Sequence, residues 1–195
     1  MERDKKALYL RAAEASDMML LYRWVNDPIV RKSAFQSKAI SLKEHKAWFH
    51  NALQNPNVQI FILMDGEEAV GQVRLTVEHE EQTIDYSVDA GKRGSGYGMK
   101  LLALMEDVCL PALPLVGKVK IGNVASCRLF EKLGYGCERK KGYDVYHKIV
   151  STNNEHRFAG GAHLSVLLDI HEYIFALRVF DMKNSIVETS FSQVA

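Results

Sequence analysis

No apolar run in this chain is long enough to span a bilayer, and no charged-then-apolar leader opens it, so a cytoplasmic protein with no membrane association is expected. Cysteine is scarce. Cys109, Cys127 and Cys137 are odd in number and lack metal-ligand spacing, which argues against a disulfide framework or a metal cluster and for free thiols. Cys127 reads as a small buried residue rather than a nucleophile. Neither sign of charge dominates: 25 Lys and Arg face 24 Asp and Glu, a net charge of +1. That removes the bulk electrostatic case for nucleic acid or an anionic membrane. The short run Arg139-Lys140-Lys141 reads as a solvated strand end or hairpin. What the chain does have is 47% hydrophobic residues over 195 positions, enough for one ordinary domain with a real core and perhaps a small appendage.

Two nucleotide fingerprints are also missing. In Arg93-Gly94-Ser95-Gly96-Tyr97-Gly98 the glycines follow Gly-x-Gly-x-Gly, not Gly-x-Gly-x-x-Gly, and no Gly-Lys-Ser/Thr occurs at P-loop spacing. The stretch lies between an apolar strand, Ile84-Asp85-Tyr86-Ser87-Val88, and an apolar helix from Tyr97 to Cys109. Glycines let the backbone approach a ligand closely. Free N–H groups at a helix N-terminus then favour negative charge. The pattern points to a phosphate or pyrophosphate site, with Arg93 able to fork onto phosphate oxygens. A tight glycine turn between strand and helix is the structural alternative.

A second segment spans residues 119–135. A short apolar strand ends at Asn123, a favoured N-cap. A helix follows with Ala125, Leu129, Phe130 and Leu133 on one face, and Gly134 supplies a left-handed stop. Arg93, Gly96 and Gly98, read as Arg-x-x-Gly-x-Gly, together with this segment resemble the two halves of the cofactor site of the GNAT acetyltransferases, which bind acetyl-CoA. The resemblance implies that the two motif strands splay apart and that the pantetheine arm enters between them. It assigns acetyl-CoA, as co-substrate, to Val88, Arg93, Gly94, Ser95, Gly96, Tyr97, Gly98, Asn123, Ser126 and Phe130.

The rest of the chain fits the same order. Leu8-Tyr9-Leu10-Arg11 reads as a strand, and Ser16 or Asp17 caps a helix carrying Met18, Leu21, Trp24 and Val25. Asn26-Asp27-Pro28 ends that helix. Ser41-Leu42-Lys43-Glu44 is a capping box opening a second helix, which Asn55-Pro56-Asn57 stops. Residues 58–64 and 69–77 read as a hairpin around Asp65-Gly66, followed by a strand at 82–88. Pro111 and Pro114 precede a strand at 115–122, and residues 135–149 form a bent strand pair. Residues 1–150 thus run strand, two helices, three strands, helix, strand, helix, two strands. The resemblance makes this an α+β GNAT fold, a mixed central sheet flanked by helices. Residues 151–195 are expected as a separate β-rich extension of three short strands (164–170, 173–180 and 186–191) after a linker. Those strands must pack on the main domain or on another subunit, as in a homodimer contact, unless this tail has no place in the fold.

Within the family, the segments Trp24-Val25-Asn26-Asp27-Pro28-Ile29-Val30-Arg31 and Ile40-Ser41-Leu42-Lys43-Glu44-His45-Lys46-Ala47-Trp48-Phe49 look like the branch that N-acetylates nucleotide-linked deoxy-amino sugars for pseudaminic acid and related surface glycans. The resemblance places Asn26, Pro28 and His45 near the sugar nucleotide, with Trp48 as an aromatic wall and Trp24 as a further substrate-binding candidate. Both tryptophans read equally as core, and His45 as a buried histidine satisfied by a backbone carbonyl. The same Asn-Asp-Pro turn occurs in GNAT enzymes that acetylate protein N-termini. Transfer from thioester to amine needs a base for the amine proton and backbone N–H groups for the oxyanion. The resemblance gives the oxyanion role to the Val88 N–H. Many relatives place a carboxylate five residues before the Asn123 equivalent and a tyrosine seven after it. Here those positions hold Lys118 and Phe130, which leaves Asp85, His45 and Tyr135 as substitutes and keeps a non-catalytic acyl-CoA-binding protein as an alternative. Asp85 has opposite parity to Ile84, Tyr86 and Val88, so only one of these faces is expected to reach the cleft. Tyr135 reads equally as core.

Overall fold

The computed structural model describes residues 8–109 and 113–150. The order is β1 (Leu8–Ala12), α1 (Met18–Val25), α2 (Pro28–Ser33), α3 (Leu42–Gln54), β2 (Val58–Asp65), β3 (Glu68–Glu78), β4 (Glu81–Val88), α4 (Tyr97–Glu106), β5 (Leu115–Lys120), α5 (Val124–Lys132), β6 (Gly136–Arg139) and β7 (Tyr143–Lys148). The strands form one mixed sheet in the order β1-β2-β3-β4-β5-β7-β6. The expected β-rich extension at 151–195 and its dimer contact lie outside the described residues.

Strand alternation sorts the core into two layers. On one face, Phe61, Leu63, Val73, Leu75, Ile84, Leu115 and Val119 pack with Leu101, Leu102 and Met105 of α4 and Phe130 of α5. On the other, Ile60, Ile62 and Met64 of β2 pack with Leu21 and Trp24 of α1 and with Phe49 and Ala52 of α3. The Ser41 capping box forms as expected: the Glu44 N–H donates to Ser41 Oγ and the Ser41 N–H to Glu44 Oε2. No helix among the described residues is long and apolar enough to cross a membrane.

Two local features depart from the sequence expectation. The turn Asn26-Asp27-Pro28 ends α1 but also starts α2. The Asp27 carboxylate accepts from the Ile29 and Val30 N–H groups at 2.9 and 3.1 Å, and Pro28 takes the first helical position, where its missing N–H is harmless. The β3–β4 hairpin turns on His79 and Glu80, both non-glycine residues at positive φ (50° and 62°). Nothing in that dipeptide announces such a turn.

Candidate active site

The sheet opens in its middle. β4 and β5 run parallel and pair over only Gln82–Leu115, Thr83–Val116 and Ile84–Gly117. Beyond that point residues 85–88 stay with β3, while residues 118–120 stay with β7. A cavity of about 650 Å3 occupies the opening. Because the strands part, side chains of both parities of β4 border it: Tyr86 and Val88 from the α4–α5 face, Asp85 and Ser87 from the α1–α3 face. The expectation that only one face could reach the cleft is therefore corrected, since a splayed sheet is open on both sides.

Backbone groups at the opening are free for a ligand. The Asp89 N–H donates to Val70 O at 2.9 Å, toward β3. Successive strand amides point to opposite edges, so the Val88 N–H faces the cleft. The Val88 carbonyl accepts from Arg93 Nε at 3.2 Å. Past β4, Gly94 and Gly96 take positive φ, at 79° and 81°, which only glycine adopts without strain. α4 starts at Tyr97 with no side-chain cap, leaving its first amides exposed as an anion cradle. Gly98 lets α4 approach α5: a Cβ there would sit 3.0 Å from Leu129 Cδ1. Ser95 is exposed at the loop tip and does not border the cavity.

The other arm comes from α5. Asn123 caps it, accepting from the Ser126 N–H at 3.3 Å. Phe130 is buried flat over β5, and a Cβ at Gly117 would overlap its ring, so the glycine makes room for the aromatic. Ser126 Oγ lies 2.8 Å from the Tyr86 hydroxyl, bridging the two arms across the cleft. Burial pushes the Tyr86 phenol above its ordinary value, against the opposing effect of the Ser126 bond, so it stays protonated at neutral pH. Sequence reasoning missed Tyr86 as a functional group, although it shares parity with Val88.

On the α1–α3 face Trp48 carries the Arg74 guanidinium 5.1 Å above its ring. Arg74 also pairs with Asp85 at 3.5 Å, and Gln72 donates to Asp85 at 3.3 Å. Trp24 borders the cavity with its indole N–H donated to Asp89 at 2.8 Å. His45 also borders it but is only 2% exposed. The Met18 carbonyl accepts from its Nε2–H at 3.1 Å, and its ring lies among Tyr22, Trp48 and Phe49. Burial holds the imidazole below its ordinary value, opposed by the Met18 bond, so it is neutral at pH 7.

Three further expected site residues lie elsewhere, the first being Pro28, which starts α2 and does not border the cavity. Asn26 does not border the cavity: its amide clamps the loop after α2, donating to Ile40 O at 3.1 Å and accepting from the Ile40 N–H at 2.8 Å. Tyr135 is buried against Phe130, whose ring separates it from the cleft, and lies beside Glu106 and Lys148. Proximity to the Glu106 charge adds to burial in raising its phenol far above its ordinary value. A hydroxyl so placed packs the core and is out of reach of the cleft.

Among the described residues that border the cavity, Asp85 is the one carboxylate, against Arg31, Arg74, Lys92, Arg93, Lys118 and Lys120. Lys92 pairs with Glu68 and Arg93 with Asp27. Lys118 and Lys120 alternate with Gly117 and Val119, which face α4–α5, so both lysines face the α1–α3 side. Lys120 Nζ donates to Lys32 O at 3.4 Å, which places α2 over this side.

The architecture is shared with solved acetyltransferases. A spermidine N-acetyltransferase from Vibrio cholerae, in complex with CoA and spermine, superposes with a TM-score of 0.63 at 18% identity over 72% of this chain and 92% of that one. A ribosomal L7/L12 alpha-N-protein acetyltransferase in complex with coenzyme A gives 0.61 at 21% identity, over 73% and 94%. The aminoglycoside acetyltransferase AAC(6')-Ib in complex with coenzyme A gives 0.60 at 20% identity, over 72% and 93%. No curated protein sequence matches. The acetyltransferase (GNAT) domain family matches residues 7–136, from β1 to the start of β6. With the splayed strands, the glycine loop and the capped α5 arm in place, the chain belongs to the GNAT acetyltransferase family, whose co-substrate is acetyl-CoA.

Proposed function

We propose that this enzyme transfers the acetyl group of acetyl-CoA to the amine of a nucleotide-linked amino sugar. The charge of the cleft carries this reading. Lys118 and Lys120 face the side opposite the glycine loop, with Arg31 also at the cavity and Asp85 the one carboxylate among the described lining residues to offset them. An acceptor bearing phosphates suits such a surface, and polycationic acceptors such as polyamines or aminoglycosides do not. Trp24 and Trp48 supply flat walls for a sugar ring.

The chemistry divides between the two faces. The glycine loop and the α4 amides hold the pyrophosphate, and the thioester lies where β4 and β5 part. The Val88 N–H donates to its carbonyl oxygen as negative charge develops there. Asp85, at the first position of β4 no longer paired with β5, accepts the amine proton. The amine nitrogen bonds to the acetyl carbon, the C–S bond breaks, and the departing thiolate takes the Tyr86 proton. Ser126, hydrogen-bonded to Tyr86, orients that hydroxyl.

The test is thiol release from acetyl-CoA across UDP-linked 4-amino sugars, spermidine, an aminoglycoside and peptides with free N-termini. Turnover on the sugar nucleotide, falling as salt is raised, is the expected result. Turnover confined to polyamine, aminoglycoside or peptide would reassign the acceptor. Coenzyme A binding without turnover on any amine would favour a non-catalytic acyl-CoA-binding protein.

A further inference from the structure

Arg93 is the one charged residue of the glycine loop, and its guanidinium is already engaged. Nη2 donates to Asp27 Oδ1 at 2.7 Å, and Nε donates to the Val88 carbonyl at 3.2 Å. The same Asp27 oxygen accepts from the Ile29 and Val30 amides that start α2. Burial raises the Asp27 carboxyl, but the Arg93 bond and the two amides outweigh it, so it lies below its ordinary value and is ionised at neutral pH. A parallel link lies one residue past β4: Asp89 accepts from the Trp24 indole at 2.8 Å and from the Gly91 N–H at 2.9 Å. The acceptor-side helices α1 and α2 are thus fastened at two points to the segment that leads into the pyrophosphate loop.

We propose that Arg93 is a positioning residue, not a phosphate ligand. It ties α2, which covers the acceptor side of the cleft, to the loop that seats acetyl-CoA, so that cofactor binding orders the acceptor pocket. Its Nε also occupies the Val88 carbonyl, leaving the Val88 N–H as the group that strand end presents to the cleft. The two substrates are coupled through this contact: acetyl-CoA settles the loop, the loop holds Arg93, and Arg93 holds Asp27 at the head of α2. The inference rests on the assignment of acetyl-CoA to the glycine loop and is independent of the acceptor's identity.

The experiment uses the full chain with coenzyme A as the probe. Coenzyme A affinity is measured by calorimetry, and hydrogen exchange is followed in the peptide covering residues 28–38, with and without coenzyme A. In the wild type, coenzyme A should slow exchange in that peptide. Arg93→Ala should leave the coenzyme A Kd within about threefold, because no phosphate contact is lost, while abolishing the slowing in α2. Asp27→Asn should weaken the slowing in the same direction, because the neutral amide still accepts from Arg93 but without the opposite charge. Asparagine still caps the helix, so this variant removes the charge contact without the cap and controls for misfolding. A rise in Kd of about tenfold or more in Arg93→Ala, with the α2 response intact, would make Arg93 a phosphate ligand and overturn the proposal. An α2 peptide in the wild type that ignores coenzyme A would overturn the coupling. No binding of coenzyme A to the wild type would instead overturn the acetyl-CoA assignment itself.

Discussion

Tyr86→Phe removes one oxygen from the cleft and separates proton donation from binding. The phenol is held protonated by burial and aimed by Ser126. A thiolate of CoA can leave unassisted at modest cost, so the expected loss is about tenfold in kcat, below the roughly hundredfold or more typical of general acid catalysis, with KM for acetyl-CoA unchanged. Steady-state thiol release checks this. Unchanged kcat would show that the thiolate departs without help and that Tyr86 only packs. The residue was unreadable in the sequence because its partner lies on a different arm, forty positions away, and only the splay brings them together. Asn123, by contrast, was legible, because N-capping is local chemistry. Asn26 and Tyr135 show the reverse failure. Both are residue types suited to a site, yet the amide is consumed by Ile40 and the phenol by the core, which no local pattern records.

At the scale of elements, the helix periods, the capping box and the hairpin at Asp65-Gly66 were legible because each is fixed by residues within a turn or two of one another. α2 is legible in principle, since Asp followed by Pro is an N-cap and first-turn pair, but the same dipeptide equally reads as the stop of α1. The β3–β4 turn could not be foreseen. Its register, Glu78 opposite Glu81, is set by sheet pairing on either side and forces His79 and Glu80 into the left-handed region. Two side chains there are strained, each by about 1 kcal/mol or more. Replacing the pair with Asn-Gly, His79→Asn with Glu80→Gly, suits a two-residue hairpin turn and should stabilise the fold. A gain of about 1 kcal/mol corresponds to a rise of about 2–4 °C in Tm for a chain of this size. Thermal denaturation followed by circular dichroism measures it. A fall in Tm would mean that His79 or Glu80 makes a contact worth more than the strain it carries.

For the molecule as a whole, the question is how much chain the catalytic unit needs. Among the described residues, those bordering the cleft lie between Leu21 and Phe130. The family match ends at residue 136, and β7, which pairs with β5 and holds its half of the opening, ends at Lys148. A compact unit closes at Thr152. The described apolar layers draw on elements from β1 to β7: Tyr146 of β7 stacks on Phe130 behind the cofactor arm, and Lys148 donates to Leu133 O at 2.8 Å to fix the end of α5. A chain ending at Thr152 is therefore expected to fold on its own, because the core and the cleft of the described residues lie within it. Its coenzyme A Kd should stay within about twofold of that of the full chain, and its Tm within a few degrees, since domains with their own core fold as units. Calorimetry and circular dichroism on the shortened chain decide it. Lost coenzyme A binding, or a melt that is no longer cooperative, would mean that residues 153–195 complete the acetyltransferase domain. The same shortened chain cut before β7 should fail on both measurements. Without β7, β5 has only three paired positions on β4 to hold it, too few to keep the cleft open at a fixed width.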